Sequence, residues 1–318
     1  MTTALLPHTC ERHGYRHEAL FYSGPDEFMA GTLPFLRDGV AAGEPTLVVL
    51  AAHKIEALRE ALDGDADHVR FADMAEVGTN PARIIPAWQQ FVAEHGGGGR
   101  ALRGIGEPIW AERSPAELAE CQRHEALLNA CFSDPDFWLL CPYDTTALGA
   151  AVIEEARRNH PFVSAHGVAE PSGSFPGIKA LAAPFAEPLP DPPGRAAVLP
   201  VDAAGLRVIR EFVARYAYRA ELAPGRIDDL VLTVHELAAN TVRHGGGEGT
   251  LSIWREGDAV VCEVRDRGRI EDPLAGRVEP AAGALGGRGL WMANQLCELV
   301  QIRSFPDGGA VRVHKRLR

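Results

Sequence analysis

The chain has 318 residues, 46% of them hydrophobic and 24% charged, with Lys+Arg 32 against Asp+Glu 43 and a formal net charge of −11. At about 150 residues per domain this length predicts two domains, each able to bury its own core, and excludes a miniature fold held by staples. The acidic excess is lopsided, with 15 basic and 27 acidic side chains in residues 1–200 against 17 and 16 in residues 201–318. Neither part therefore has the basic surplus of a nonspecific nucleic-acid binder, and no direct nucleic-acid contact is expected.

The amino terminus, MTTALLPHTCERHG, lacks a basic start followed by a sustained apolar stretch, so no export signal is expected. Apolar runs such as residues 46–52 (TLVVLAA) are strand-sized, well short of the ~20 residues that cross a bilayer. A cytoplasmic protein without a membrane span is the expectation. The cysteines at 10, 121, 131, 141, 262 and 297 form no CxxC and sit mainly in apolar context, which predicts reduced, buried thiols. His8, Cys10, His13 and His17 near the start, and Cys121 with His124, are residue types that ligate zinc, but their spacing forms no recognised closed set.

The first half alternates apolar strand-like pieces with helical ones: HEALFY (17–22), TLVVLA (46–51), HVRFADM (68–74), ARIIPAWQQFVAEHG (82–96), FWLLCPYD (137–144) and TALGAAVIEEARRNH (146–160). This pattern predicts α/β layering around a mostly parallel sheet, whose buried strands need no polar alternation. Residues 169–200 then carry eight prolines and several glycines, which disfavour a long helix or a central strand and read as an interdomain linker. The expected organisation is a domain at 1–168, the linker at 169–200 and a second domain at 201–318.

In the second domain Ile209, Phe212, Val213 and Tyr216 place one apolar face on a helix. A second helix follows, with Asp228 as its expected cap and Leu230, Val234, Leu237 and Thr241 along one face, ending at Gly245 and Gly246. Leu251 and Ile253, then Val260, Cys262 and Val264, alternate as the two strands of a hairpin turning at Gly257 and Asp258. A short helix over about 290–297 and the hairpin ELVQIRSFPDGGAVRVHKR complete an α/β sandwich whose sheet is expected to be covered on one side only.

Three patches in this half carry chemistry. Glu236 and Asn240 stand one turn apart on a helix, where a carboxylate can accept a proton and an amide oxygen can coordinate Mg²⁺ beside phosphates; alone, the pair also fits a solvated helix face. Asp266 ends an apolar strand and Gly268 lets the chain turn close to a ligand, so Asp266 can accept a hydrogen bond from an exocyclic amine; alone, the same letters also fit a simple turn. Gly283, Gly286, Gly287 and Gly289 precede an apolar helix, and their amides with Arg288 can wrap an anion at its N-terminus. A surface loop is the other reading of that stretch, and no GxxxxGK[ST] loop occurs in the chain.

In this order the three patches resemble the ATP-binding domain of the gyrase, Hsp90, histidine-kinase and MutL class, most closely its anti-sigma regulatory serine/threonine kinase branch. The resemblance implies a two-layer α/β sandwich of the Bergerat type that binds ATP and Mg²⁺. It assigns Glu236 as general base, Asn240 as Mg²⁺ holder, Asp266 with Gly268 as adenine reader, and Gly287, Arg288 and Gly289 as part of the phosphate lid. It further implies phosphorylation of a Ser or Thr on a regulatory partner such as an anti-anti-sigma factor, with a sigma factor as a further partner and a homodimer allowed. An ATP-gated binding module without kinase turnover, or a histidine-kinase-like ATPase, remains the alternative. One departure is visible: where the family often shows DxGxG, this chain has Ile270 in place of the second glycine.

The first 165 or so residues resemble the methanogen and methylotroph sensory domain, through HEALFYSGPDEF, FLRDGVAAGEPTLVVLA, GEPIW, HEALLNACF, LLCPYD and NHPFV. That resemblance implies a three-layer α/β domain related to RecA and KaiC, without their phosphate loop, that senses an unidentified small molecule. Tyr22, Glu107, Trp110, Glu125, Asn129, Tyr143 and Asp144 lie beside expected element ends and can line a pocket at the carboxyl edge of the sheet, though a structural network accounts for them equally well.

Overall fold

The computed structural model describes residues 14–132, 135–178, 180, 187–281 and 287–318. The expectations for His8, Cys10, His13, Gly283 and Gly286 lie outside the described residues. Two compact units result, and neither is contiguous in sequence: one comprises residues up to 74, 89–111 and 128–175, the other residues 75–88, 112–127 and 176–318.

From the start, the elements are β1 (Arg16–Tyr22), α1 (Gly24–Ala41), β2 (Thr46–Leu50), α2 (Ala52–Leu62), β3 (Val69–Asp73), α3 (Met74–Val77), α4 (Ile84–His95), β4 (Leu102–Gly106), α5 (Pro115–Cys131), β5 (Phe137–Asp144), α6 (Ala150–Asn159), β6 (Phe162–Ala165) and β7 (Val168–Pro171). The strands form a seven-stranded sheet in the order β3-β2-β4-β5-β1-β6-β7, with only the β6–β7 pair antiparallel. Parallel neighbours require crossovers, which is why strands and helices alternate. β2 is buried along its whole length, as its unbroken apolar run requires. β4, with two glycines and an arginine among its five residues, is a strand that propensity alone does not reveal.

The second unit contains β8 (Ala197–Val201), α7 (Leu206–Arg219), α8 (Pro224–His244), β9 (Gly249–Glu256), β10 (Ala259–Asp266), α9 (Arg288–Leu296), β11 (Leu299–Phe305) and β12 (Gly308–Arg316). Its antiparallel sheet runs β11-β12-β10-β9-β8. Ile209 and Val213 of α7, Val234 and Leu237 of α8 and Ala293 of α9 close over Leu251, Ile253, Val260, Cys262 and Val313 in one core.

Three expectations are corrected. α8 begins four residues before Asp228, with Ala223 at the cap and Pro224 at the first helical position, where its missing N–H costs nothing. The segment at 169–200 is not a linker throughout, because β7 ends at Pro171 and β8 starts at Ala197; both are edge strands, where proline is tolerated. The C-terminal sheet is covered on both sides. Ser252, Trp254, Glu263, Gln301, Arg303 and Arg312 alternate with the core residues and are themselves buried.

Polar letters on that second face suggested water, but they are paired with each other and with residues 112–127. Glu120 accepts from Arg277 Nη2 and Arg303 Nη1, both at 2.8 Å, with Arg123 Nη1 at 3.7 Å. Arg123 donates to the Ile302 carbonyl at 2.6 Å, and Arg312 donates to Glu263 at 2.6 Å and to the Pro190 carbonyl. Buried charges persist only when compensated in this way. Burial pushes the guanidiniums of Arg123 and Arg277 below their usual range. The described cysteines are thiols rather than disulfides, and burial pushes the Cys121 and Cys297 thiols up to about 12.

Glu120→Gln removes the anion from among three buried guanidiniums and is expected to lower unfolding free energy by about 3–5 kcal/mol in urea titrations; a loss below about 1 kcal/mol would contradict the pairing. Burial also lowers His314 from 6.5 to about 4. The unfolded chain then binds the proton first as pH falls, so the His314 contribution is complete above pH 6.5 and lost between 6.5 and 4, on the order of 3 kcal/mol in total. Unfolding free energy measured across that window should fall less steeply in His314→Gln than in the parent protein.

Candidate functional site

The C-terminal end of α8, the end of β10, the start of α9 and the start of β12 converge on a cavity of about 550 Å³. Its lining includes Glu236, Asn240, Asp266, Gly268, Gly287, Arg288 and Gly289, so the three patches singled out in the sequence meet in space. A volume of this size suits a small organic ligand or cofactor.

Asp266 is fixed from two sides. Its Oδ2 accepts from the Thr241 hydroxyl at 2.6 Å and its Oδ1 from the Gly268 N–H at 2.8 Å. An ionised carboxylate has about four acceptor positions, so capacity remains for a donor on a ligand. The approach is close: a Cβ at Gly268 would lie 2.9 Å from the Gly245 Cα and 3.0 Å from the His244 carbonyl. Gly268 is therefore required by packing against the end of α8. Ile270, where the family pattern has its second glycine, donates its N–H to Ser304 Oγ at 3.0 Å and packs on the core, so the strand exit is held by a side chain instead.

Glu236 and Asn240 share a face of α8, as their spacing requires. Arg243, which the sequence reading missed, lies beside both: its Nη2 is 3.2 Å from Asn240 Oδ1 and 3.6 Å from Glu236 Oε2. The signal was its spacing of three and seven residues along the same helix. Glu236 is partly exposed, so its carboxylate opens onto the cavity. Gly289 faces it; a Cβ there would lie 3.0 Å from Asn240 Nδ2 and 3.6 Å from Glu236 Oε2.

Gly287 caps α9 with φ of +86°, a left-handed conformation that glycine adopts without strain. The first amides of that nine-residue helix carry the positive end of its dipole, and Arg288 adds charge. The other end of α9 is held within the same unit. Asn80 Nδ2 donates to Asn294 Oδ1 at 3.2 Å and to the Asn294 and Cys297 carbonyls at 3.1 and 3.0 Å. Arg83 donates to the Asn294 and Gln295 carbonyls, and Asn294 Nδ2 donates to the Gly276 carbonyl at 2.8 Å.

In the first unit the expected pocket residues fall on different faces. Register pairs Tyr22 with Asp144 and Phe21 with Tyr143, and neighbouring residues of a strand point oppositely, so Tyr22 and Asp144 are separated from Tyr143 by the sheet. Tyr22 donates to Glu107 at 2.7 Å, and Lys54, missed in the sequence reading, donates to Glu107 at 2.6 Å and to the Tyr22 oxygen at 2.6 Å. Burial raises both the Tyr22 hydroxyl and, against the Lys54 ammonium, the Glu107 carboxyl. Trp110 is half-buried after β4. On the other face Tyr143 meets His160 edge-on at 5.6 Å, and Asn129 contacts His17. Glu125, buried on α5, belongs to the second unit and so is not part of that set.

Thr241→Val keeps the shape of the side chain but removes the donor to Asp266, and a hydrogen bond to a charged group is worth about 1.5–3 kcal/mol. Denaturant titrations should show a loss of that size in Thr241→Val and most of it restored in Thr241→Ser; equal stability of all three would remove Thr241 from the site's scaffold.

Comparison with known proteins adds family matches to this geometry. Residues 16–161 match the MEDS model, described as the methanogen/methylotroph, DcmR sensory domain. Residues 199–315 match the model of the histidine kinase-like ATPase domain. No curated protein matches the chain, and no described helix is long and apolar enough to cross a membrane. Residual acceptor capacity on Asp266, the close-packed Gly268 and the amide-rich start of α9 are a donor and acceptor set that fits a nucleotide triphosphate with its metal. The chain carries an N-terminal MEDS sensory domain fused to a C-terminal histidine-kinase-like ATPase domain, whose cofactors are ATP and Mg²⁺.

Proposed function

We infer that the protein is a signalling regulator in which Mg-ATP occupancy of the C-terminal domain sets affinity for a regulatory protein, and in which the sensory domain biases that occupancy. One observation carries this reading. Residues 75–88 and 112–127 lie inside the sensory match, yet they pack in the same compact unit as the ATPase domain. Asn80 and Arg83 grip the end of α9, whose first residues line the cavity, and Glu120 binds Arg277 in the segment that leads to it. A change at the sensory residues thus has a physical route to the phosphate end of the site. Coupling of this kind is a difference in affinity between two states.

In this reading Asp266 accepts the adenine amine, Asn240 holds Mg²⁺, and the Gly287, Arg288 and Gly289 segment contacts the phosphates. A second reading, phosphotransfer to a Ser or Thr of an anti-anti-sigma-type partner, is favoured by Glu236, whose partly exposed carboxylate faces the same cavity and can take the hydroxyl proton. When bound, ATP supplies the phosphoryl group and Mg²⁺ neutralises its charge. The residues of the chain orient the acceptor, receive its proton and exclude water. A sigma factor as further partner, a homodimer and an unidentified small-molecule signal complete the proposal. The strand order of the first sheet supports the finer comparison with RecA and KaiC folds, with Gly24 and Pro25 opening α1 where those folds carry a phosphate loop.

Calorimetry of the full chain with Mg-ATP tests both layers. Binding should be measurable below millimolar concentration. Asn80→Ala should shift the dissociation constant at least about fivefold, and Glu236→Gln should keep it within about threefold while abolishing transfer of labelled γ-phosphate to an anti-anti-sigma partner. Absence of ATP binding sinks the whole reading; an unshifted Asn80→Ala removes the coupling; retained transfer in Glu236→Gln removes the base.

A further inference from the structure

The sensory domain contains a polar cluster that the nucleotide reading does not use. His17 on β1, Cys141 on β5 and His160 just after α6 are buried in the first unit, and their ligand atoms all lie within 4.8 Å of one another. Register places His17 and Cys141 on the same face of the sheet, since His17 pairs with Leu139 and Ala19 with Cys141. His17 Nε2 lies 3.4 Å from Cys141 Sγ, and the two imidazole centroids are 4.0 Å apart. Two ligands of a tetrahedral zinc ion, one nitrogen and one sulfur at their usual bond lengths, stand roughly 3.5 Å apart.

The surrounding hydrogen bonds determine which ring nitrogens bear lone pairs. Asn129 Nδ2 donates to the Asn159 carbonyl at 2.7 Å, which orients its amide so that Oδ1 faces His17 Nδ1 at 3.2 Å. That oxygen only accepts, so His17 Nδ1 carries the proton. His160 Nδ1 lies 2.8 Å from the Ala156 carbonyl and is protonated for the same reason. In the neutral form that binds metal, both imidazoles therefore bear their lone pair on Nε2. Fixing a histidine tautomer by a carbonyl or amide behind it is the arrangement that supports metal-binding histidines.

We propose that His17, Cys141 and His160 bind a zinc-class divalent transition-metal ion in the sensory domain. Two imidazoles and a thiolate select a borderline ion over Mg²⁺ or Ca²⁺, which prefer oxygen. Binding releases the Cys141 proton to solvent, and the thiolate and two neutral imidazoles leave one net positive charge on the site.

The test uses the full chain, stripped with chelator and titrated with Co²⁺ as a spectroscopic stand-in for zinc, followed by metal analysis after zinc loading. One equivalent per chain with a thiolate-to-cobalt charge-transfer band is expected. Cys141→Ser should lose that band while Cys10→Ser keeps it, which separates this site from the histidines and cysteine near the amino terminus. Asn129→Ala, which leaves all three ligands in place, should weaken cobalt binding about 10- to 100-fold with the band retained. Circular dichroism reports whether each variant folds. No band in the parent protein, or a band that survives Cys141→Ser, overturns the proposal. So does affinity unchanged in a folded Asn129→Ala.

Discussion

A single buried carboxylate organises the second unit. Glu120 stands among Arg277, Arg303 and Arg123, and each of these belongs to a different part of the chain: the segment leading into α9, strand β11, and α5 itself. Guanidiniums that are desolvated without an anion are costly, so these segments are stable only together. The same ion cluster covers a face of the sheet that would otherwise meet water. Because residues 112–127 lie within the sensory match, the ATPase sheet of this protein is completed by a segment that ends 70 residues before its first strand at Ala197.

The candidate nucleotide site is built by convergence of element ends rather than by any one motif. α8 brings Glu236 and Asn240, the exit of β10 brings Asp266, and α9 brings its amides. Contact between the last turn of α8 and the turn at Gly268 sets the distance between the first two. Tethering the far end of α9 through Asn80 and Arg83 sets the position of the third. An element held at one end and open to ligand at the other can report on both, which is what a regulated ATPase domain requires.

Legibility in the sequence followed the range of the interaction. α8 was readable because Leu230, Val234, Leu237 and Thr241 recur at helical spacing, and β9 and β10 because Leu251 and Ile253, then Val260, Cys262 and Val264, fall on every second residue. Thr241 was read as one more core-facing residue; its hydroxyl is seen to serve Asp266 only once β10 lies beside α8. Lys54 and Arg243 escaped notice because a lone cation on a helix ordinarily reaches into water, and nothing in the adjacent letters names its partner. The second covered face of the C-terminal sheet escaped for the same reason, since Glu263, Gln301 and Arg312 read as solvated until their partners are known.

Local periodicity and turn-forming glycines were enough to predict two α/β domains, because these features depend on neighbours within a few residues, and the resemblance of three short patches, in order, to a known ATP-binding class implied a Mg-ATP site in the second. Tertiary structure alone decided that the candidate pocket of the first domain is divided by its own sheet, that His17, Cys141 and His160 meet, and that Asn80 and Glu120 reach α9 and the segment before it. Those contacts join residues from about 20 to more than 200 positions apart. Their energy comes from burying paired charges and lone pairs, which no local pattern of residue types can specify.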